Sequence, residues 1–133
     1  QEDITQILRD YGIGYKKSQK VNSRLLSFLK KIKKKYQLFC LTNTSDLHFE
    51  LNTKQGFFKN FKKAYASSDI KVKKPYKKAF LIVLKENNLR PKETLFVDDK
   101  QSNLDAARNL GMKTLIFKNN KQLFEQLKEL GIK

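Results

Sequence analysis

The chain has 133 residues, enough for one domain with a buried core. Its 29 basic and 13 acidic residues give a formal net charge of +16, which attracts polyanions, yet only Arg9, Arg24, Arg90 and Arg108 carry the guanidinium fork that phosphate and base recognition favours. A dedicated nucleic-acid binder is therefore not the favoured reading. No apolar run reaches the roughly 18 residues of a membrane span, and the single cysteine, Cys40, cannot close an internal disulfide and fits a reducing, cytoplasmic setting.

In chain order, Ile4, Ile7, Leu8 and Tyr11 follow Asp3 at helical spacing and predict a first helix ended by Gly12 and Gly14. Val21, Leu25, Phe28, Leu29 and Ile32 form one apolar stripe of a second helix, with Lys30 to Lys35 at its C-terminal end. Tyr36 to Leu41 reads as a buried strand, and the capping residues Thr42 to Asp46 lead into a helix from Leu47. Ala64 to Ala66 is weakly strand-like and is followed by a Ser67–Asp69 turn. Pro75 suits the first turn of a helix carrying Tyr76, Ala79, Phe80, Val83 and Leu84. Leu95, Phe96 and Val97 predict another strand, Leu104, Ala107 and Leu110 a helix, residues 113–117 a strand, and Leu123, Phe124, Leu127 and Leu130 the last helix. The alternation predicts an α/β fold with a parallel sheet between helical layers.

Three strand ends carry chemistry. Asp98 and Asp99 close one strand, where paired carboxylates repel one another and a divalent cation with oxygen ligands, magnesium above all, relieves the repulsion. Thr42 and Asn43 close another with a hydroxyl and an amide suited to phosphate oxygens, and Lys74 follows a third with a balancing charge. In an open parallel sheet the ligand crevice lies outside these carboxyl ends. Each group has a plainer alternative: an acid pair that caps a helix, a Thr-Asn turn, a surface lysine. His48 is expected to be an exposed polar residue rather than a catalyst.

Leu41-Thr-Asn-Thr-Ser45, Ser67-Ser-Asp-Ile-Lys-Val-Lys-Lys-Pro75 and Leu95-Phe-Val-Asp-Asp-Lys-Gln-Ser-Asn103 resemble, in order and spacing, the second to fourth motifs of the haloacid dehalogenase-like (HAD) hydrolase superfamily. The subgroup with a helical cap after the first strand is the most similar. The resemblance implies a three-layer Rossmann-like fold and a Mg²⁺-dependent phosphatase acting on small phosphorylated metabolites such as sugar phosphates. It further implies that Thr42 and Asn43 bind phosphate, that Lys74 steadies nucleophile and phosphate, that Asp99 ligates magnesium with Asp98 beside it, and that Asn103 supports the loop or the metal's outer shell.

The family's first motif, Asp-x-Asp at the end of a central first strand, has no counterpart, since no two aspartates stand two apart. The expectation is therefore a C-terminal portion of a longer enzyme: residues 1–18 a remnant of the cap, residues 19–133 a partial core, the central strand and most of the cap missing, and the missing N-terminal segment a required partner. On this view the chain alone is inactive. A non-catalytic scaffold that keeps the phosphate and metal groups is the alternative, and a basic RNA-binding protein ranks below both.

Overall fold

Gln6–Arg9 (β1), only four residues long, occupies the middle of a parallel sheet in the computed structural model of the protein, which describes residues 4–9, 23–54, 56 and 58–132. β1 pairs with β2 (Gln37–Thr42) on one side and β4 (Thr94–Asp98) on the other. Ile7 lies level with Leu38 and Leu95, and Leu8 level with Phe39 and Phe96. β3 (Lys63–Ala66) flanks β2 and β5 (Lys113–Ile116) flanks β4, so the five strands among the described residues run in the order β3-β2-β1-β4-β5.

The parallel three-layer α/β architecture is as expected, but two expectations are corrected. The segment around Ile7 and Leu8 is a strand, not a helix, and it supplies the central strand that was expected to be missing. The physical reason is long-range: both faces and both edges of these four residues are buried between β2 and β4, which outweighs a local helical spacing. That part of the supposed cap remnant belongs to the core sheet. Residues 1–3 and 10–18 of it, with the expected helix end at Gly12 and Gly14, lie outside the described residues, as does Val21.

The helices are α1 (Ser23–Ile32), α2 (Asp46–Lys54), the single turn α3 (Ser67–Ile70), α4 (Lys77–Glu86), α5 (Gln101–Asn109) and α6 (Asn120–Glu129). Strand alternation divides the core into two layers. Ile7, Leu38, Cys40, Leu95 and Val97 face Leu25, Leu29 and Ile32 of α1 and Leu123 and Leu127 of α6. Leu8, Phe39, Leu41 and Phe96 face Ala79, Phe80, Val83 and Leu84 of α4 and Leu104 and Ala107 of α5, with Phe80 edge-on to Phe96 at 5.1 Å between centroids. Cys40 is fully buried and free, the small hydrophobe its apolar neighbours indicated. Pro75 precedes α4 rather than opening it, and Tyr76 is the N-cap.

The topology fixes where a ligand can lie. From β1 the chain steps outward through β2 to β3 and then returns to β4 on the other side of β1, so the order reverses at the centre of the sheet. At such a reversal the loops leaving the strands diverge and leave a crevice at their carboxyl ends. Thr42 and Asp98 both end strands there, with β1 between them.

Candidate functional site

Asp98 is the last residue of β4 and is completely buried, with both carboxylate oxygens engaged. Oδ2 accepts from Lys74 Nζ at 3.0 Å and from Asn103 Nδ2 at 3.0 Å, while Oδ1 accepts from the Lys100 backbone N–H at 3.1 Å. Asn103 lies on the first turn of α5, so the strand–turn–helix unit folds its own donor back onto the strand's last side chain. Burial pushes the Asp98 carboxyl up. The Lys74 charge and hydrogen bonds from Lys74, Asp99 and Lys100 outweigh it, and the carboxyl is held below its ordinary value.

Lys74 arrives from the other half of the sheet. It is 2% exposed, and its ammonium lies 5.6 Å from the centroid of the Phe96 ring. Its main chain is clamped by Asn43, whose Nδ2 donates to the Lys74 carbonyl at 3.1 Å and whose Oδ1 accepts from the Lys74 N–H at 3.0 Å. A second clamp lies next to it: Ser67 Oγ accepts from the Thr44 N–H at 3.0 Å and donates to the Thr44 carbonyl at 3.2 Å. The two clamps lock the loop after β2 to the segment after β3. Together they fix where a buried lysine enters the sheet edge.

The structure thus brings Asn43, Lys74, Asp98 and Asn103 into one connected cluster. Asp99 is exposed beside it. Thr42 is buried at the end of β2, two strand positions from Asp98, a separation of about 10 Å at the usual strand spacing. By alternation Thr42 shares the face of Cys40 and Asp98 that of Phe96, so the hydroxyl and the ion pair stand on either side of the β1 end. His48 is exposed on the first turn of α2, its N–H donating to Ser45 Oγ at 3.3 Å, the polar surface role expected of it.

Two features were not assigned from the sequence. The clamps are one: Asn43, expected to bind phosphate, has both its amide nitrogen and its amide oxygen engaged by the Lys74 main chain, and the only sequence signal for Ser67 is its membership of a hydroxyl-rich loop. Arg9, at the end of β1, is 2% exposed with its guanidinium carbon 5.9 Å from the Phe117 ring centroid; a lone arginine closing a four-residue apolar segment gives no warning of burial. A cavity of about 590 Å³, lined by Thr44, Ser67, Ser68, Lys71, Lys73 and Tyr76 among others, opens beside the clamps.

As metal donors, Asp98 and Asp99 have the right chemistry. They are adjacent hard oxygen ligands, and magnesium is commonly held by one or two carboxylates with water completing its shell. Lys74, Asn103 and Lys100 engage both carboxylate oxygens of Asp98, while Asp99 is exposed. Among the described residues no group of three or more His, Cys, Asp or Glu side chains lies together.

The profile of the family described as haloacid dehalogenase-like hydrolase matches residues 1–117. The chain is 30% identical over 101 residues to a D-ribitol-5-phosphate phosphatase of Bacteroides thetaiotaomicron, covering 71% of this chain and 49% of that protein. It therefore spans about half the length of that relative. A HAD family enzyme of the same organism, crystallised with magnesium and inorganic phosphate, superposes with a TM-score of 0.72 at 32% identity over 78% of this chain and 58% of that one. An uncharacterized protein of Corynebacterium glutamicum shares the fold, with a TM-score of 0.83 at 19% identity over 98% of this chain and 97% of that one. Profile, relative and fold agree with the three motifs read from the residues: the chain belongs to the haloacid dehalogenase-like hydrolases.

Proposed function

We propose that the protein is a magnesium-dependent hydrolase of small phosphate monoesters, sugar and polyol phosphates foremost. The observation that carries this reading is the buried Lys74–Asp98 pair at the carboxyl edge of the sheet, cross-braced by Asn103 and Asn43. A buried ion pair is costly to assemble and contributes little net stability, so its retention at a ligand crevice argues for a site.

In this reading Thr42 and the N–H groups of the loop after it bind the transferred phosphoryl oxygens, and Lys74 offsets their charge. Asn43 positions Lys74 through its backbone. Asp99 holds magnesium, which when bound polarises a phosphoryl oxygen. The remainder of the substrate occupies the adjacent cavity, where the Thr44 hydroxyl and the Lys71 and Lys73 side chains offer polar contacts. In the family the nucleophile follows the central strand; here that strand is β1, and Asp10, next after it in sequence, is the candidate nucleophile, with Gly12 where the second Asp of the motif would stand.

Hydrolysis of p-nitrophenyl phosphate with magnesium tests the proposal, comparing this chain with the protein extended upstream in its reading frame. Turnover by the extended protein that is lost in Asp99→Asn supports it, and no turnover by either contradicts it. Asp10 follows β1 immediately in sequence and lies outside the described residues, so Asp10→Asn is the variant that tests whether this chain supplies its own nucleophile. A second reading, a scaffold that binds phosphate without hydrolysing it, is favoured by the full engagement of Asp98. It predicts phosphate binding with no turnover in the extended protein.

A further inference from the structure

At the opposite end of the sheet, beneath the amino ends of β1 and β2, a cavity of about 470 Å³ is lined by Lys33, Lys34, Lys35, Lys59 and Lys62, with Thr5, Tyr36, Gln37 and Asn60 among the remaining residues. Five of its lining residues are lysines and none is acidic. Glu93, whose carbonyl accepts from the Thr5 N–H at 2.9 Å, has its carboxylate paired with Arg90 at 3.4 Å. The C-terminal dipole of α1 accounts for Lys33 to Lys35, which follow its last turn. It does not account for Lys59 and Lys62. These come from the separate segment before β3, brought in by the Lys62 N–H bonded to the Leu38 carbonyl at 2.7 Å. The Lys62 ammonium is further held by Gln37 Oε1 at 3.0 Å. Two separate segments thus deliver like charges to one concavity, where a polyanion relieves their repulsion.

We propose that this cavity binds a short chain of linked phosphates, of the kind carried by a nucleoside triphosphate or by inorganic tripolyphosphate. Its volume falls in the range of small-ligand sites, roughly 300 to 1,000 Å³. Lysine ammoniums are point charges on flexible stems, and several together match several negative groups in a row, whereas one lysine suffices for a single phosphate. Gln37, Asn60 and Thr5 supply neutral hydrogen-bonding groups between the charges, and the Tyr36 ring gives a base or other flat body a surface to rest on. The site lies across the sheet from Lys74 and Asp98, so it does not depend on the proposed hydrolytic activity.

Isothermal titration of the protein with tripolyphosphate and with ATP, without added metal, tests the site. The variant Lys33→Ala/Lys35→Ala/Lys59→Ala/Lys62→Ala is compared with Lys85→Ala/Lys118→Ala/Lys121→Ala/Lys128→Ala, which removes equal charge from α4, α6 and the loop before α6. All eight positions are exposed, and circular dichroism checks that both variants fold. The expected result is at least a tenfold loss of affinity in the first variant and less than twofold in the second, with amide shifts at Thr5, Tyr36, Gln37 and Asn60. An equal loss in both variants overturns the proposal, as does an absence of binding at millimolar ligand or amide shifts confined to Thr42 to Thr44. Tighter binding of single-stranded RNA than of tripolyphosphate, weakened equally by both variants, overturns it in favour of diffuse nucleic-acid attraction.

Discussion

Asp98 and Lys74 are each buried, and each is tolerable only because the other is present. Removing one partner of such a pair leaves an uncompensated charge or a vacant acceptor inside the protein and costs about 3 to 5 kcal/mol, whereas removing both together is often nearly neutral. Lys74→Met and Asp98→Ala are therefore expected each to lower the unfolding free energy by about that amount, and the double variant by clearly less than the sum, in a denaturant cycle. Additive losses would mean that the 3.0 Å contact is incidental. The pH dependence follows from the same pair. The folded carboxyl titrates below its unfolded value of about 3.9, so its contribution is complete above that pH and is lost as pH falls through the folded value. The stability gap between the wild type and Asp98→Asn should thus be constant near neutrality and narrow below about pH 4; a gap that narrows on raising the pH would reverse the assignment.

At the scale of elements the decisive piece is β1. Leu8 is fully buried, with neighbours on both strands and against both α4 and α5, so Leu8→Ala should cost about 2 to 5 kcal/mol by chemical denaturation. A loss below about 1 kcal/mol would show that the central strand contributes little. This element was also the least legible. Ile4, Ile7, Leu8 and Tyr11 satisfy helical spacing, four residues are too few to establish a strand period, and only the partners at 37–40 and 94–97 decide the matter. By contrast β2 and β4 announce themselves as unbroken apolar runs ending in polar loops, and α4 and α6 as stripes, because local patterning and burial agree there. The same distinction holds at the site. Lys74, Asp98, Asp99 and Asn103 could be named from motif order, while the Asn43 and Ser67 clamps could not, since a loop asparagine or serine looks the same whether it binds a ligand, a backbone or water.

For the molecule as a whole, a parallel sheet divides two kinds of chemistry. At its carboxyl edge lie an acid pair and one buried lysine, and at its amino edge a cluster of exposed lysines without acids. No helix among the described residues is long and apolar enough to cross a membrane. A net charge of +16 read as a single number suggested polyanion attraction everywhere, and the fold resolves it into two edges of different character. The central claim is that the carboxyl edge is a magnesium and phosphate site. Amide NMR of the protein titrated with magnesium and then inorganic phosphate tests it most directly, because it requires neither a nucleophile nor turnover. The account predicts shifts at Thr42 to Thr44, Lys74 and Asp98 to Asn103, with the magnesium response lost in Asp99→Asn. Shifts absent from these residues, or unchanged in that variant, would contradict it.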